Sequence, residues 1–228
     1  MTGGFDPLQI ALIAVPVILA ITLHEAAHGF VALRCGDTTA KDRGRLTLNP
    51  LNHIDLVGTI LLPALLLLTH AGFIFGYAKP VPVNFSALRH PKRDMILVAA
   101  AGPAANVAIA LGAAALLYLQ LAAGAGSIGW LSRLLLTTIE FNLVLAVFNM
   151  LPLPPLDGSK VLAGLLPDAL AGPYLALGRM GFAVLLLVLV ILPVLTANAG
   201  VHFDLFNWLV QRPADFLMRL ILAPVTQS

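Results

Sequence analysis

The chain has 228 residues, 59% of them hydrophobic and 11% charged, with a mean hydropathy of +0.94 and a formal net charge of +2. Soluble domains hold about 45–50% apolar and about 25% charged residues, so a soluble monomer and a disordered tail are excluded. No basic run is long enough to track phosphates, which excludes a nucleic-acid binder.

The expectation is an all-α polytopic membrane protein with about five to six membrane-embedded helical segments and short strand-like hairpin pieces at the cytoplasmic side. It is read as a single domain over residues 1–228. The core covers about 8–166, and a C-terminal membrane helix and interfacial segment cover 171–228. A bilayer core about 30 Å thick needs roughly 20 mostly apolar residues per helix. Leu8–Leu33, Met95–Leu121, Trp130–Leu151 and Pro173–Leu195 meet that demand, and Ile54–Phe75 is apolar enough. Leu205–Leu222 is interrupted by Arg212, Pro213 and Asp215 and reads as an amphipathic interfacial helix or a poor final span. Only Asp6, and no basic residue, precedes the first apolar stretch, so it is expected to be retained rather than cleaved as a signal. Cys35 is the single cysteine, so no intrachain disulfide holds the fold.

Basic residues set the orientation. Residues 34–45 carry Arg34, Lys41, Arg43 and Arg45, and residues 79–93 carry Lys79, Arg89, Lys92 and Arg93. Residues 1–7 and 122–129 carry none. The positive-inside rule puts the N-terminus outside and both basic loops in the cytoplasm of a cell membrane. One full crossing by Ile54–Phe75 would break that rule, so the segment is expected to re-enter, helped by Gly58 and Pro63. Arg45–Leu48 alternates before the Asn49-Pro50 turn signal. Lys79–Asn84 carries two prolines, which limit it to an edge strand or an extended segment.

The sharpest motif is His24-Glu25-Ala26-Ala27-His28, which fits H-E-x-x-H. On a helix, positions i and i+4 share a face, so both imidazoles can reach one metal, with Glu25 beside them to take a proton from bound water. His24 lies about ten residues before Arg34, or roughly 15 Å into the helix. Ionisable groups at such depth are costly and point to function. The bland alternative is a pair of histidines bonded to neighbouring helices. Two histidines leave a catalytic zinc one protein ligand short of the usual three. Asp157 is the best third ligand, because three prolines in Asn149–Gly158 stop a helix and place it on the same side; it can equally be the N-cap of the helix that follows.

Together, H-E-A-A-H, G-P-A-A-N at Gly102–Asn106 and N-x-L-P-x-P-P-L-D-G at Asn149–Gly158 resemble the site-2 protease family of intramembrane zinc metalloproteases. Gly44–Asp55 and Gly76–Asn84 resemble its compact prokaryotic branch, without PDZ or CBS domains. The resemblance implies one Zn2+ per chain on His24, His28 and Asp157, and Glu25 as general base. It also implies that Asn149 helps hold the substrate backbone or the transition state, that Asn106 lies close to the site, and that the site opens to the cytoplasm. The expected activity is zinc-dependent hydrolysis of peptide bonds in membrane-spanning protein substrates, as in regulated intramembrane proteolysis. The expected partners are such a substrate and the lipid bilayer, and no nucleic acid. A helical substrate must unwind before attack, and Lys79–Asn84 is a candidate edge for the unwound strand. A catalytically inactive relative acting as a binding or regulatory protein is the alternative; intact His24, Glu25, His28 and Asp157 argue against it.

His53 is expected to be a surface histidine, with a supporting donor role as the alternative. His70, His90 and His202 stay unassigned, and Cys35 reads as a small interfacial residue. Glu140 is expected to pair with Arg133 or to face the bundle interior in a structural role.

Overall fold

The computed structural model describes residues 6–61, 79–124, 129–187 and 205–226. Its framework is three long helices: α1 (Pro7–Arg34), α3 (Pro91–Ala122) and α4 (Trp130–Asn149), with a single turn, α2 (Thr39–Asp42), after the first. Each of the three long helices is long and apolar enough to cross a membrane. Asp6 caps α1 by accepting from the Leu8 N–H at 3.0 Å, and Pro7 occupies the first turn, where its missing N–H costs nothing.

Small residues bring these helices together. Ala20, Ala26 and Ala32 of α1 and Val98, Ala99 and Ala110 of α3 are all at most 1% exposed. In lipid the hydrophobic effect does not drive helix association, so close backbone approach through such residues replaces it. Leu8, Ile13, Leu19, Leu116 and Leu119 point outward. That is the inverse of a soluble helix and suits a lipid surround.

Beyond α4 come three short helices, α5 (Asp157–Leu165), α6 (Asp168–Ala176) and α7 (Gly178–Leu186). Last is α8 (Arg212–Thr226), entered through a π-helical turn at Asn207–Gln211. Ala214, Leu217, Met218, Ile221 and Leu222 pack onto Ala113, Ala114 and Leu117 of α3 and Leu135, Ile139 and Leu143 of α4. Arg212 and Pro213 therefore start this helix rather than break it. Its outer face carries Phe216 and Leu220.

Several expectations change here. Among the described residues there is no strand. Arg45–Leu48 and Lys79–Asn84 are irregular, and the two stretches are joined by a side chain instead of a ladder. The Arg45 guanidinium donates to Asn52 O through Nη1 and to Lys79 O at 3.0 Å through Nη2. Among the described residues three helices meet the length and hydropathy of a span, and parts of the expected segments Ile54–Phe75 and Pro173–Leu195 lie outside those residues. The start of Pro173–Leu195 is broken at Leu177 between α6 and α7, and its end lies outside the described residues. Most of Ile54–Phe75 lies outside them as well. Its described start is a π-helical turn at Leu56–Leu61. The flanks meet: Lys79 N donates to His53 O at 2.9 Å, so the chain leaves and rejoins the described fold at one place.

Two further residues differ. His53 is 2% exposed, because its Nε2 reaches back to Thr47 O at 3.0 Å and folds the ring under the loop. Glu140 is exposed midway along α4, as is Arg133, and no ion pair joins them. A seven-residue separation spans about 10 Å of helix axis, which side chains bridge poorly.

Candidate metal centre

His24 and His28 stand one turn apart on the buried face of α1, in the middle of the three-helix contact. Asp157 arrives from the other end of the chain. It is the first residue of α5, capped by Leu156, and its side chain makes no capping bond; it turns inward to the imidazoles instead. The three prolines of Asn149–Gly158 follow the end of α4 and turn the chain back against that end. Gly158 allows this tight passage: a Cβ there would lie 2.2 Å from Met150 O.

His24 Nε2, His28 Nε2 and Asp157 Oδ2 form a triangle with all three sides at 3.1 Å. Three ligands of a tetrahedral zinc, each about 2.0 Å from the ion, stand about 3.3 Å apart. The donor chemistry agrees. His24 Nδ1 lies 2.6 Å from Asn106 Oδ1 and His28 Nδ1 lies 2.6 Å from Val98 O. Both partners are acceptors, so each Nδ1 carries the proton and each Nε2 presents a lone pair. Two lone pairs and a carboxylate oxygen facing one point repel one another unless a cation sits there. Gly102 keeps the space open: a Cβ would be 2.5 Å from His28 Nε2 and 2.6 Å from His24 Nε2. His24, His28 and Asp157 are the one group among the described residues placed to hold a metal ion.

The remaining lone pairs of Asp157 are answered by Lys160, one turn along α5, whose Nζ donates to Oδ1 at 2.9 Å. Burial pushes the Asp157 pKa up, but the contacts with His24 and His28 and the Lys160 charge outweigh it. The carboxyl stays well below the usual carboxylate range.

Glu25 is half-buried beside the triangle, and its Oε2 accepts the Val81 N–H at 2.8 Å. The two elements thus share a cavity of about 200 Å³, lined by Glu25, His28, Val81, Val83, Asp157 and Lys160 among others. The far end of the Lys79–Asn84 segment is tied to the tip of α1, where Asn84 N donates to the Asp37 carboxylate at 2.7 Å.

Of the residues marked from the sequence, His24, His28, Asp157, Glu25, Asn106 and Lys79–Asn84 come together. Asn149 does not line the cavity; its Nδ2 donates to Leu145 O of its own helix at 3.0 Å. His90 stands exposed before α3, Cys35 is half-buried with a free thiol, and His70 and His202 lie outside the described residues. Sequence reasoning passed over Lys160 and Asn142. Asn142 is fully buried on α4 and touches Asn106. An amide in the middle of a helix long and apolar enough to cross a membrane was its available signal.

No protein-family model matches the chain, and no solved structure matches it. Named relatives do. The chain is 38% identical over 211 residues to "Putative zinc metalloprotease YwhC" of Bacillus subtilis (strain 168), covering 87% of this chain and 92% of that protein. It is 33% identical over 212 residues to "Putative zinc metalloprotease Rip2" of Mycobacterium tuberculosis (strain H37Rv), covering 90% and 76%. The protein of the same name from Mycolicibacterium smegmatis is 30% identical over 196 residues, covering 84% and 70%.

Proposed function

The chain belongs to the family of these bacterial zinc metalloproteases, and on that premise we propose that it is an intramembrane endopeptidase of the site-2 protease type, cutting protein substrates within or beside their membrane spans. The observation that carries the proposal is the convergence of Asp157 at 3.1 Å on His24 and His28, which with Glu25 stand on a helix long and apolar enough to cross a bilayer. An active site on such a helix meets its substrates in the membrane.

Zinc held by these three side chains supplies Lewis acidity towards a water molecule and a peptide carbonyl. Glu25 serves as general base and then general acid. It takes a proton from the water as the water oxygen bonds to the carbonyl carbon, and returns it to the amine nitrogen as the C–N bond breaks. The Val81 N–H holds one oxygen of Glu25 and leaves the second for the proton. Asn106 and Val98 O fix the imidazole tautomers.

The substrate enters as an extended strand along Lys79–Asn84. Pro80 and Pro82 have no N–H, and those of Lys79, Val81 and Asn84 are bonded to His53, Glu25 and Asp37. Val83 supplies the remaining N–H of this stretch and lines the cavity, so pairing is centred on Val83. Asn149 reaches the substrate after releasing Leu145 O. Both basic loops and the cavity mouth face the cytoplasm.

The test is a reconstituted cleavage assay: purified protein in proteoliposomes with candidate single-span substrates. Products cut within or next to the span, lost on chelation and restored by Zn2+, support the proposal. Cleavage confined to soluble peptides overturns the intramembrane assignment.

A further inference from the structure

Asn142 sits fully buried on α4 and takes no part in the chemistry above. Its bonds run in one direction. Asn142 Nδ2 donates to Thr138 O at 2.8 Å, and Asn142 Oδ1 accepts from Asn106 Nδ2 at 2.8 Å. Asn106 Oδ1 in turn faces His24 Nδ1 at 2.6 Å.

An amide side chain is nearly symmetric in shape, so its oxygen and nitrogen exchange places unless a neighbour of fixed polarity decides. Thr138 O is a main-chain carbonyl and can only accept. It draws the nitrogen of Asn142 towards itself and turns the oxygen of Asn142 towards Asn106. That oxygen draws the nitrogen of Asn106 and turns the oxygen of Asn106 towards His24. An oxygen there requires a proton on His24 Nδ1, which leaves Nε2 with the lone pair that points at Asp157 and His28. A flipped Asn106 would present an N–H to Nδ1, move the imidazole proton to Nε2 and remove His24 from the ligand set. Asn106 has a second anchor, since its Nδ2 also reaches Ala20 O at 3.3 Å. The shorter bond comes from Asn142.

We propose that Asn142 is a positioning residue for the metal: through Asn106 it fixes the tautomer of His24, so that polarity is passed from a carbonyl of α4 across α3 to the ligand on α1. The proposal rests on the zinc-site assignment but not on peptide cleavage. A buried amide midway along a helix long and apolar enough to cross a membrane is costly, and this relay gives it a reason. Groups beyond the ligand shell that hold a ligand's tautomer typically change metal affinity by about 10- to 100-fold. The second anchor on Ala20 O places the expected effect near the lower end.

The experiment measures zinc dissociation by chelator competition in detergent, with side-chain 15N spectra of His24. Asn142→Leu fills the same space without polarity and is expected to weaken zinc about tenfold. Its zinc-free spectrum is expected to show a smaller share of the Nδ1–H form of His24 than the wild type does. Asn142→Asp, whose neutral carboxyl donates to Thr138 O and accepts from Asn106, is expected to stay within about threefold of wild type. A packing role predicts the reverse order, with leucine harmless. Wild-type zinc affinity and tautomer in a folded Asn142→Leu protein overturn the proposal. If that variant does not fold, Asn142→Asp decides alone: a loss of zinc affinity of about tenfold or more in the folded aspartate variant overturns it. Failure of wild type to bind zinc at all would instead sink the metal site.

Discussion

Gly102→Ala places one methyl group against both histidine ligands. The new Cβ would lie 2.5 Å from His28 Nε2 and 2.6 Å from His24 Cε1 and Nε2, whereas ordinary contact begins at 3.4 Å. The rings must therefore move by about 0.9 Å, beyond the roughly 0.5 Å within which a ligand constellation keeps its function. They cannot swing freely, because Asn106 and Val98 O hold their far nitrogens at 2.6 Å. Overpacking of this kind costs about 1–3 kcal/mol. Taken from the zinc-bound state, that is about a 5- to 150-fold loss of affinity at 1.4 kcal/mol per decade. Gly112 lies on the same helix with nothing within 4 Å of its would-be Cβ, so Gly112→Ala is the matched control and should bind zinc as wild type does. Chelator competition on both variants, with circular dichroism to confirm the fold, gives the comparison. Equal zinc affinity for Gly102→Ala and Gly112→Ala would refute the placement of the two imidazoles.

Gly158→Ala meets main-chain atoms at 2.2–2.5 Å, which cannot rotate away; we expect a melting temperature in detergent lowered by several degrees, and an unchanged melt would contradict the described passage under α4. Asp37 accepts from the Thr39 amide and hydroxyl and from Asn84 N. Burial pushes its pKa up, but these bonds and the Arg43 charge hold the carboxyl below its ordinary value. A lowered folded pKa gives stability that is full above about pH 4 and is lost as pH falls through the folded value. Asp37→Asn should thus melt earlier at pH 7, by the equivalent of about 1–3 kcal/mol, and the gap to wild type should shrink on acidification; a gap that grows would reverse the sign of the argument. Cysteines at the exposed Asn52 and Ser86 in a Cys35→Ser background should both be labelled from the cytoplasmic side only, since the hydrogen bond between His53 and Lys79 keeps the flanks of residues 54–78 together. Labelling of position 86 from outside and position 52 from inside would make that stretch a full crossing.

The parts of the site that a sequence shows are those set by short-range geometry. H-E-x-x-H needs only the helical period to put His24 and His28 on one face, and the proline run before Asp157 announces a chain that stops and turns. What the sequence hides depends on long-range polarity and space. Asn142 and Asn106 are 36 residues apart, and their bond exists only because α3 and α4 pack against each other. Gly102 reads as ordinary close packing until the imidazoles are seen beside it. The strand-like alternation in Arg45–Leu48 misleads for a similar reason: the hydrogen bonds that organise it come from the Arg45 guanidinium, not from the backbone. His53 is buried because one carbonyl, Thr47 O, captures its ring, and nothing in its immediate neighbours signals this.

The central claim is that His24, His28 and Asp157 hold the metal while Glu25, adjacent but not a ligand, moves the proton. Measuring zinc content and cleavage together on Glu25→Gln tests it most directly. The amide keeps an acceptor for the Val81 N–H but cannot take a proton. We expect about one zinc per chain, as in wild type, and cleavage reduced by about 10²–10⁴-fold, the range for loss of a general acid–base group. Substantial turnover by a zinc-loaded Glu25→Gln protein, or loss of zinc along with activity, would contradict the assignment.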